Sequence, residues 1–289
     1  TNKQTKMAIK TMKTPKADLF SVSLNYTDND LRRAFRRVMI SASFAGMVAM
    51  FSPTLEYTLL TFSLVLFYVW MNAVVERYFP GNISLDGKPS PKFRLYTSIF
   101  HDGIIAGGLL VAILYFRANK LSQWLTDGWE GQHSDNNILL ETLDAFALCV
   151  TIAFEIKDGL VDDFDLSLER VGIYIHHVAT SGACLYILNC SYGKGYMLVN
   201  ALQALMGSLI YCVWRLKKLN TIIYCVTMTL SNVLATTLMI QFFLLAKSKG
   251  ELAVLFPLLC IPIGLVRQYP VMEVIVKNFS KNRSISKAH

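Results

Sequence analysis

Hydrophobic positions in this chain come in long unbroken runs, without the alternation of a half-buried strand or the one-sided stripe of a surface helix, and short charged clusters separate the runs. About 20 apolar residues cross a hydrocarbon core of about 30 Å, and a helix satisfies its own backbone there. The runs predict membrane-spanning helices at roughly residues 38–50, 54–75, 95–116, 137–156, 170–190, 196–214, 220–246 and 252–274. The first is short. Asp28 to Asp30 can cap a helix that begins near Leu31, Arg32, Arg33, Arg36 and Arg37 can keep their charges at the surface while it enters the bilayer, and Phe51-Ser52-Pro53 ends it. The expected fold is an all-α, multi-pass transmembrane bundle or barrel of about seven to eight spans.

Composition supports the same class. The chain is 53% hydrophobic and 17% charged, too apolar for an ordinary soluble domain. Its 28 basic and 20 acidic residues give a net +8, which in a soluble chain would suggest nucleic-acid binding. Here the excess lies in residues 1–37, in short loops and in the tail, where orientation in a membrane places it, so a nucleic-acid partner is not expected. An even number of spans sets the basic start, Arg215-Leu216-Lys217-Lys218 and the tail with Lys277, Lys281, Arg283 and Lys287 on one side. The chain divides into a basic N-terminal extension (1–37), a transmembrane domain (38–275) and a basic C-terminal tail (276–289). The start from Thr1, with Lys3, Lys6, Lys10, Lys13 and Lys16 and no acid before Asp18, fits a processed mitochondrial segment and equally a cytosolic tail at the endoplasmic reticulum. Cys149, Cys184, Cys190, Cys212, Cys225 and Cys260 sit in or beside apolar runs without Cys-x-x-Cys spacing, and read as small core residues. The sequons at Asn25, Asn82 and Asn278 fall on the inside in this topology and carry no weight.

Candidate chemistry gathers between Glu155 and Thr180, where acids stand beside the paired His176 and His177 at a membrane boundary. Ionisable groups in hydrocarbon are costly and are functional or paired. If the loop at 76–94 is inside, His101 and Asp102 lie roughly 9 Å deep in the third span, and the two histidines reach about the same depth from the start of the fifth. Glu155 and Asp158 end the fourth span on that side. Adjacent helical residues diverge by about 100°, so one histidine faces inward; His176 shares its face with Thr180, and His177 is expected to reach a neighbouring helix. Histidines of this kind also serve simply as interhelical hydrogen-bonding groups. No second ligand has the spacing of a helical zinc motif, and no metal is expected. Asp158, Asp162, Asp163 and Asp165 could hold magnesium against a phosphate headgroup, but their spacing fits no known motif, and the run reads as a capped loop.

At these residues the chain resembles the TLC-domain family, the membrane proteins that include the ceramide synthases. Phe154-Glu155-Ile156-Lys157-Asp158 resembles the family's aromatic-x-x-x-Asp helix end, and Ile175-His176-His177-Val178-Ala179-Thr180 its His-His-x-x-Thr element. The segment from Arg94 to Gly107, with Ser98 and His101, and residues 200–218, ending Tyr211-Cys212-Val213-Trp214-Arg215-Leu216-Lys217-Lys218, are similar to its flanking parts. The resemblance covers roughly residues 54–246 and implies a lipid-handling helical barrel. It implies His176, His177 and Asp158 as candidate catalytic residues and Ser98, His101, Asp102 and Thr180 as lipid-binding ones, with acyl-coenzyme A as co-substrate should the chain transfer acyl groups. No other cofactor is implied. The family's later His-Asp-x-x-x-Asp element has no counterpart, because residues 200–208 hold neither histidine nor acid. Membrane lipids are therefore the expected partners, without full ceramide synthase activity. The alternative is a noncatalytic accessory subunit among other membrane subunits. The compartments considered are the mitochondrial inner membrane and the endoplasmic reticulum.

Overall fold

The computed structural model describes residues 28–85, 88–126, 138–161, 168–189, 193–248, 264, 267–269 and 271–276. The lysines of residues 1–27, Asp162, Asp163 and Asp165, Cys190 and Cys260, the sequon residues Asn25 and Asn278, residues 252–263 of the expected last span and the tail 277–289 lie outside the described residues. Within them the chain is helical almost throughout: α1 (Asp28–Phe51), α2 (Leu55–Tyr78), α3 (Lys92–Ile99), α4 (Ala106–Arg117), α5 (Leu121–Thr126), α6 (Ile138–Val161), α7 (Leu168–Asn189), α8 (Lys194–Arg215) and α9 (Thr221–Ser248). Residues 267–269 and 271–276 are helical as well. A π-helical turn, Phe100–Ile105, joins α3 to α4, so that Lys92–Lys120 forms one rod.

Four helices are long and apolar enough to cross a membrane: Leu55–Tyr78, Lys92–Lys120, Lys194–Arg215 and Thr221–Ser248. The short first run is the apolar half, Arg37–Phe51, of the longer α1. α6 and α7 have 24 and 22 residues, and α6 carries Asp144 and Lys157 buried in its length. The stretch expected as a loop at 76–94 holds an antiparallel hairpin, β1 (Asn82–Leu85) with β2 (Lys88–Pro91), in which Ile83 faces Ser90. The four-residue strands are too short to have stood out between the apolar runs.

α2 shows how local sequence becomes packing. Thr54 caps it, its hydroxyl accepting from the Tyr57 N–H at 3.4 Å, just after Pro53 breaks the chain. Its buried positions are Thr58, Thr61, Val65, Tyr68, Met71, Asn72 and Val75, largely at helical three- and four-residue steps, whereas Leu59, Leu66 and Trp70 are exposed. The polar Thr58, Thr61 and Asn72 are thus buried alongside apolar side chains, while large apolar residues face outward. Lipid tails are as apolar as leucine, so helices associate in a membrane through close packing and interhelical hydrogen bonds. α6 is the centre: Ala145, Ala147, Leu148, Cys149, Val150, Ile152 and Ala153 are buried, and it packs on α1, α2, α4, α7 and α8. α8 and α9 form a hairpin turned at Lys217 and pinned by Trp214 stacked on Tyr224 at 4.2 Å.

Candidate functional site

The π turn places two consecutive polar residues inside the bundle. His101 is 1% exposed and Asp102 4%. Gly107 permits the turn, because a Cβ there would overlap the Asp102 carbonyl oxygen. The His101 Nδ1 meets the Tyr68 hydroxyl of α2 at 2.7 Å, and its ring stacks on Phe154 of α6. One rod and two helices are thereby locked together at His101. Asp102 stands 4.0 Å from the His101 Nε2, and its Oδ2 has no hydrogen-bond partner among the described residues.

The residue after Phe154 extends the cluster to α7. Glu155 pairs with the Nδ1 of His177, both largely buried, and lies within electrostatic reach of His101 and His176. Lys157 pairs with Asp158 and sets its ammonium 4.0 Å from the centre of the Phe154 ring. His176 is half-buried, with the Thr180 hydroxyl 3.4 Å from its Nδ1. Ser98 lies beside Cys212 of α8, and Ser208 beside Asp102.

No protein-family model, curated protein or solved structure matches the chain.

The site residues expected from the sequence thus occupy one region with a changed division of roles. His177 reaches a neighbouring helix and His176 shares its face with Thr180, whereas the carboxylate paired with His177 is Glu155 and Asp158 turns to Lys157. With Glu155 as the acceptor, the His177 Nδ1 carries the proton. Among the described residues, no group of three or more His, Cys, Asp and Glu is arranged to hold a metal ion.

Three contributions escaped sequence reasoning. Tyr68 holds His101, but an aromatic residue inside an apolar run carries no signal of its own, and Phe154, marked only as part of a helix-end motif, gave no hint that His101 stacks on it. Arg267 enters from the helical residues 267–269, donating from Nη2 to the Ala204 carbonyl at 3.0 Å, and it lies within electrostatic reach of Asp102 and His176. A charge within the apolar run 252–274 was its signal. At the opposite end of α6, Asp144, 2% exposed, accepts from Arg117 Nη2 at 2.8 Å and from the Trp124 indole at 3.1 Å. Asp144 inside the run 137–156 was the corresponding signal.

Proposed function

We propose that the chain is a TLC-like integral membrane protein of seven to eight spans that holds a lipid in its interior, with the polar cluster of His101, Asp102, Glu155 and His177 at the level of the headgroup. The observation that carries this reading is the meeting of these groups inside an apolar bundle, on three different helical rods, around a π turn. Polar groups at membrane depth that converge without satisfying one another completely mark binding sites or proton relays. An apolar interior with a few convergent polar groups suits an acyl chain with a small polar head.

Ceramide synthase activity in full is not part of the proposal. Residues 200–208 of α8 supply no acid or histidine, only Ser208 near Asp102, and the charge that enters beside them is Arg267. One observation favours the second reading, an accessory subunit without catalysis: the Nδ1 atoms of His101 and His177 are both engaged, by Tyr68 and Glu155, so these imidazoles already serve as interhelical connectors. In that case other membrane subunits are the partners and the mitochondrial inner membrane is the setting; the lipid-handling reading suits that membrane or the endoplasmic reticulum.

Purification from native membranes, lipid extraction with mass spectrometry, and an assay with acyl-coenzyme A and a long-chain amine acceptor separate these outcomes. A stoichiometric bound lipid without acyl transfer is expected. Turnover that disappears in His176→Ala would overturn the noncatalytic part, and a protein free of lipid that co-migrates with other subunits would leave the accessory reading.

A further inference from the structure

Three helix ends stop at one height, on the side of the bundle where α6 ends. The Thr97 hydroxyl of α3 donates to Asn72 Oδ1 of α2 at 3.1 Å, and α3 packs on α8 with Ser98 beside Cys212. The Leu209 side chain, 3.5 Å from where a Cβ on Gly103 would stand, continues that register. Arg77, Lys92 and Lys217 each lie about 7–8 Å outward from these contacts along α2, α3 and α8, at about 1.5 Å per residue. Phe79 stacked on Tyr96 at 3.9 Å and the Lys92 N–H on the Gly81 carbonyl at 3.0 Å hold the hairpin there. With neighbouring helix axes about 8–10 Å apart, Arg77, Lys92, Lys217 and Lys218 form a rim roughly 20 Å long. Arg77, Lys217 and Lys218 are exposed, and none of the four is in an ion pair among the described residues. The acids near this height are Glu76, Glu273 and Asp158, the last already paired with Lys157, and Arg94 and Arg215 add further positive charge.

We propose that this rim binds the phosphates of anionic phospholipids in the adjoining leaflet and selects them over zwitterionic ones; the proposal does not depend on what the interior holds. Orientation in a membrane requires only that cations lie on one side. Here they stand directly over side chains that face lipid. On α9, Ile222, Ile223 and Val226 are exposed just inward of Lys217 and Lys218, and on α2 Trp70 and Tyr78 are exposed beside and below Arg77. Aromatic rings mark the same level: Trp214, stacked on Tyr224, donates its indole N–H to Thr221 at 3.3 Å, and the Arg215 guanidinium lies 5.3 Å from the centre of the Tyr211 ring. Such rings sit at headgroup depth in membranes. An anion within reach of ammonium groups above an apolar, lipid-facing surface is a lipid phosphate. An anionic headgroup brings that phosphate alone, whereas a choline headgroup brings a cation with it that the rim repels. One basic side chain near an anionic surface corresponds to roughly a fivefold preference.

The test places the full-length protein in phosphatidylcholine vesicles containing a trace of spin-labelled phosphatidylglycerol or spin-labelled phosphatidylcholine with identical chains. Electron paramagnetic resonance reads the fraction of each label slowed by contact with the protein. At low salt the phosphatidylglycerol label is expected to associate about fivefold more strongly. Near 1 M salt, where the screening length falls to about 3 Å, the two labels should become nearly equal. The double variant Lys217→Gln with Lys218→Gln should lose at least about half of the low-salt preference. Lys120→Gln with Lys247→Gln removes the same charge at the opposite end of the bundle and should leave most of it. All four lysines in these variants except none buried are exposed side chains, so each variant keeps the fold. Equal association of the two labels at low salt overturns the proposal. So does a preference unchanged in the Lys217 and Lys218 variant, or an equal loss in both double variants, which would reflect net charge without a rim.

Discussion

His101 lies flat on Phe154, the ring centroids 3.6 Å apart and the planes within 1° of parallel, while its Nδ1 holds the Tyr68 hydroxyl at 2.7 Å. A histidine held by one helix through a hydrogen bond and by another through its ring face cannot rotate independently of either. The relationship makes His101 the point at which α2, the Lys92–Lys120 rod and α6 are tied.

Its two supports differ in weight. Tyr68→Phe removes a single interhelical hydrogen bond and is expected to cost about 0.6–2 kcal/mol. Phe154→Ala removes a buried ring and should cost about 3–5 kcal/mol. Thermal unfolding in detergent compares them, and equal shifts for the two variants would contradict the ordering.

The Glu155 and His177 pair should behave as a buried unit. Truncation of either partner to alanine strands a charge or polar group, at about 3–5 kcal/mol, and the double variant should lose clearly less than the sum of the single ones. Asp158→Asn, at a partly exposed side chain paired with its neighbour Lys157, should cost under about 1 kcal/mol. Additive losses in the Glu155 and His177 cycle would show that the pair does not form.

Two adjacent glycines provide a test of opposite signs. Glycine to alanine within a helix ordinarily stabilises by about 0.5–1 kcal/mol, and Gly108→Ala, with open space at its Cβ position, should do so. Gly107→Ala drives a methyl group into the Asp102 carbonyl and should instead destabilise by about 1–3 kcal/mol or more. Paired melting curves read the difference directly, and a stabilised Gly107→Ala would exclude the π turn.

At the other end of α6, Asp144→Ala leaves Arg117, 11% exposed at its side chain, without its carboxylate, and a loss of about 3–5 kcal/mol is expected. Replacing both, as Arg117→Met with Asp144→Leu, should recover most of that loss, since well-packed apolar residues often substitute for a buried pair without penalty. A double variant no more stable than Asp144→Ala would show that the cluster does more than compensate its own burial.

Much of this site was legible in the chain because ionisable residues inside apolar runs are visible by contrast. His101, Asp102, His176 and His177 stood out in that way, and the same contrast marks Asp144 and Arg267. Tyr68 did not, since an aromatic ring in a hydrophobic run looks like any other apolar residue until its neighbour is known, and Phe154 was visible only as part of a helix-end motif, not as the partner of His101. Glu155 and Asp158 were separated by rotation about the α6 axis: both lie near its end, and only the packed bundle shows that the first meets His177 while the second meets Lys157. The π turn was hidden too, because no short pattern distinguishes Gly107 as its closing residue from Gly108 as an ordinary helical glycine.

The sequence by itself determined that the chain is largely helical and apolar, with several helices long and apolar enough to cross a membrane, and which charged groups must find company there. Both follow from transfer free energies, which sum along the chain without reference to neighbours. Tertiary structure alone decided the company: Tyr68 with His101, Glu155 with His177, Trp124 and Arg117 with Asp144, and Arg267 with the Ala204 carbonyl. Pairing depends on which helices adjoin and on how each is turned about its axis, where a step of one residue rotates a side chain by about 100°. Hydropathy carries no record of that angle.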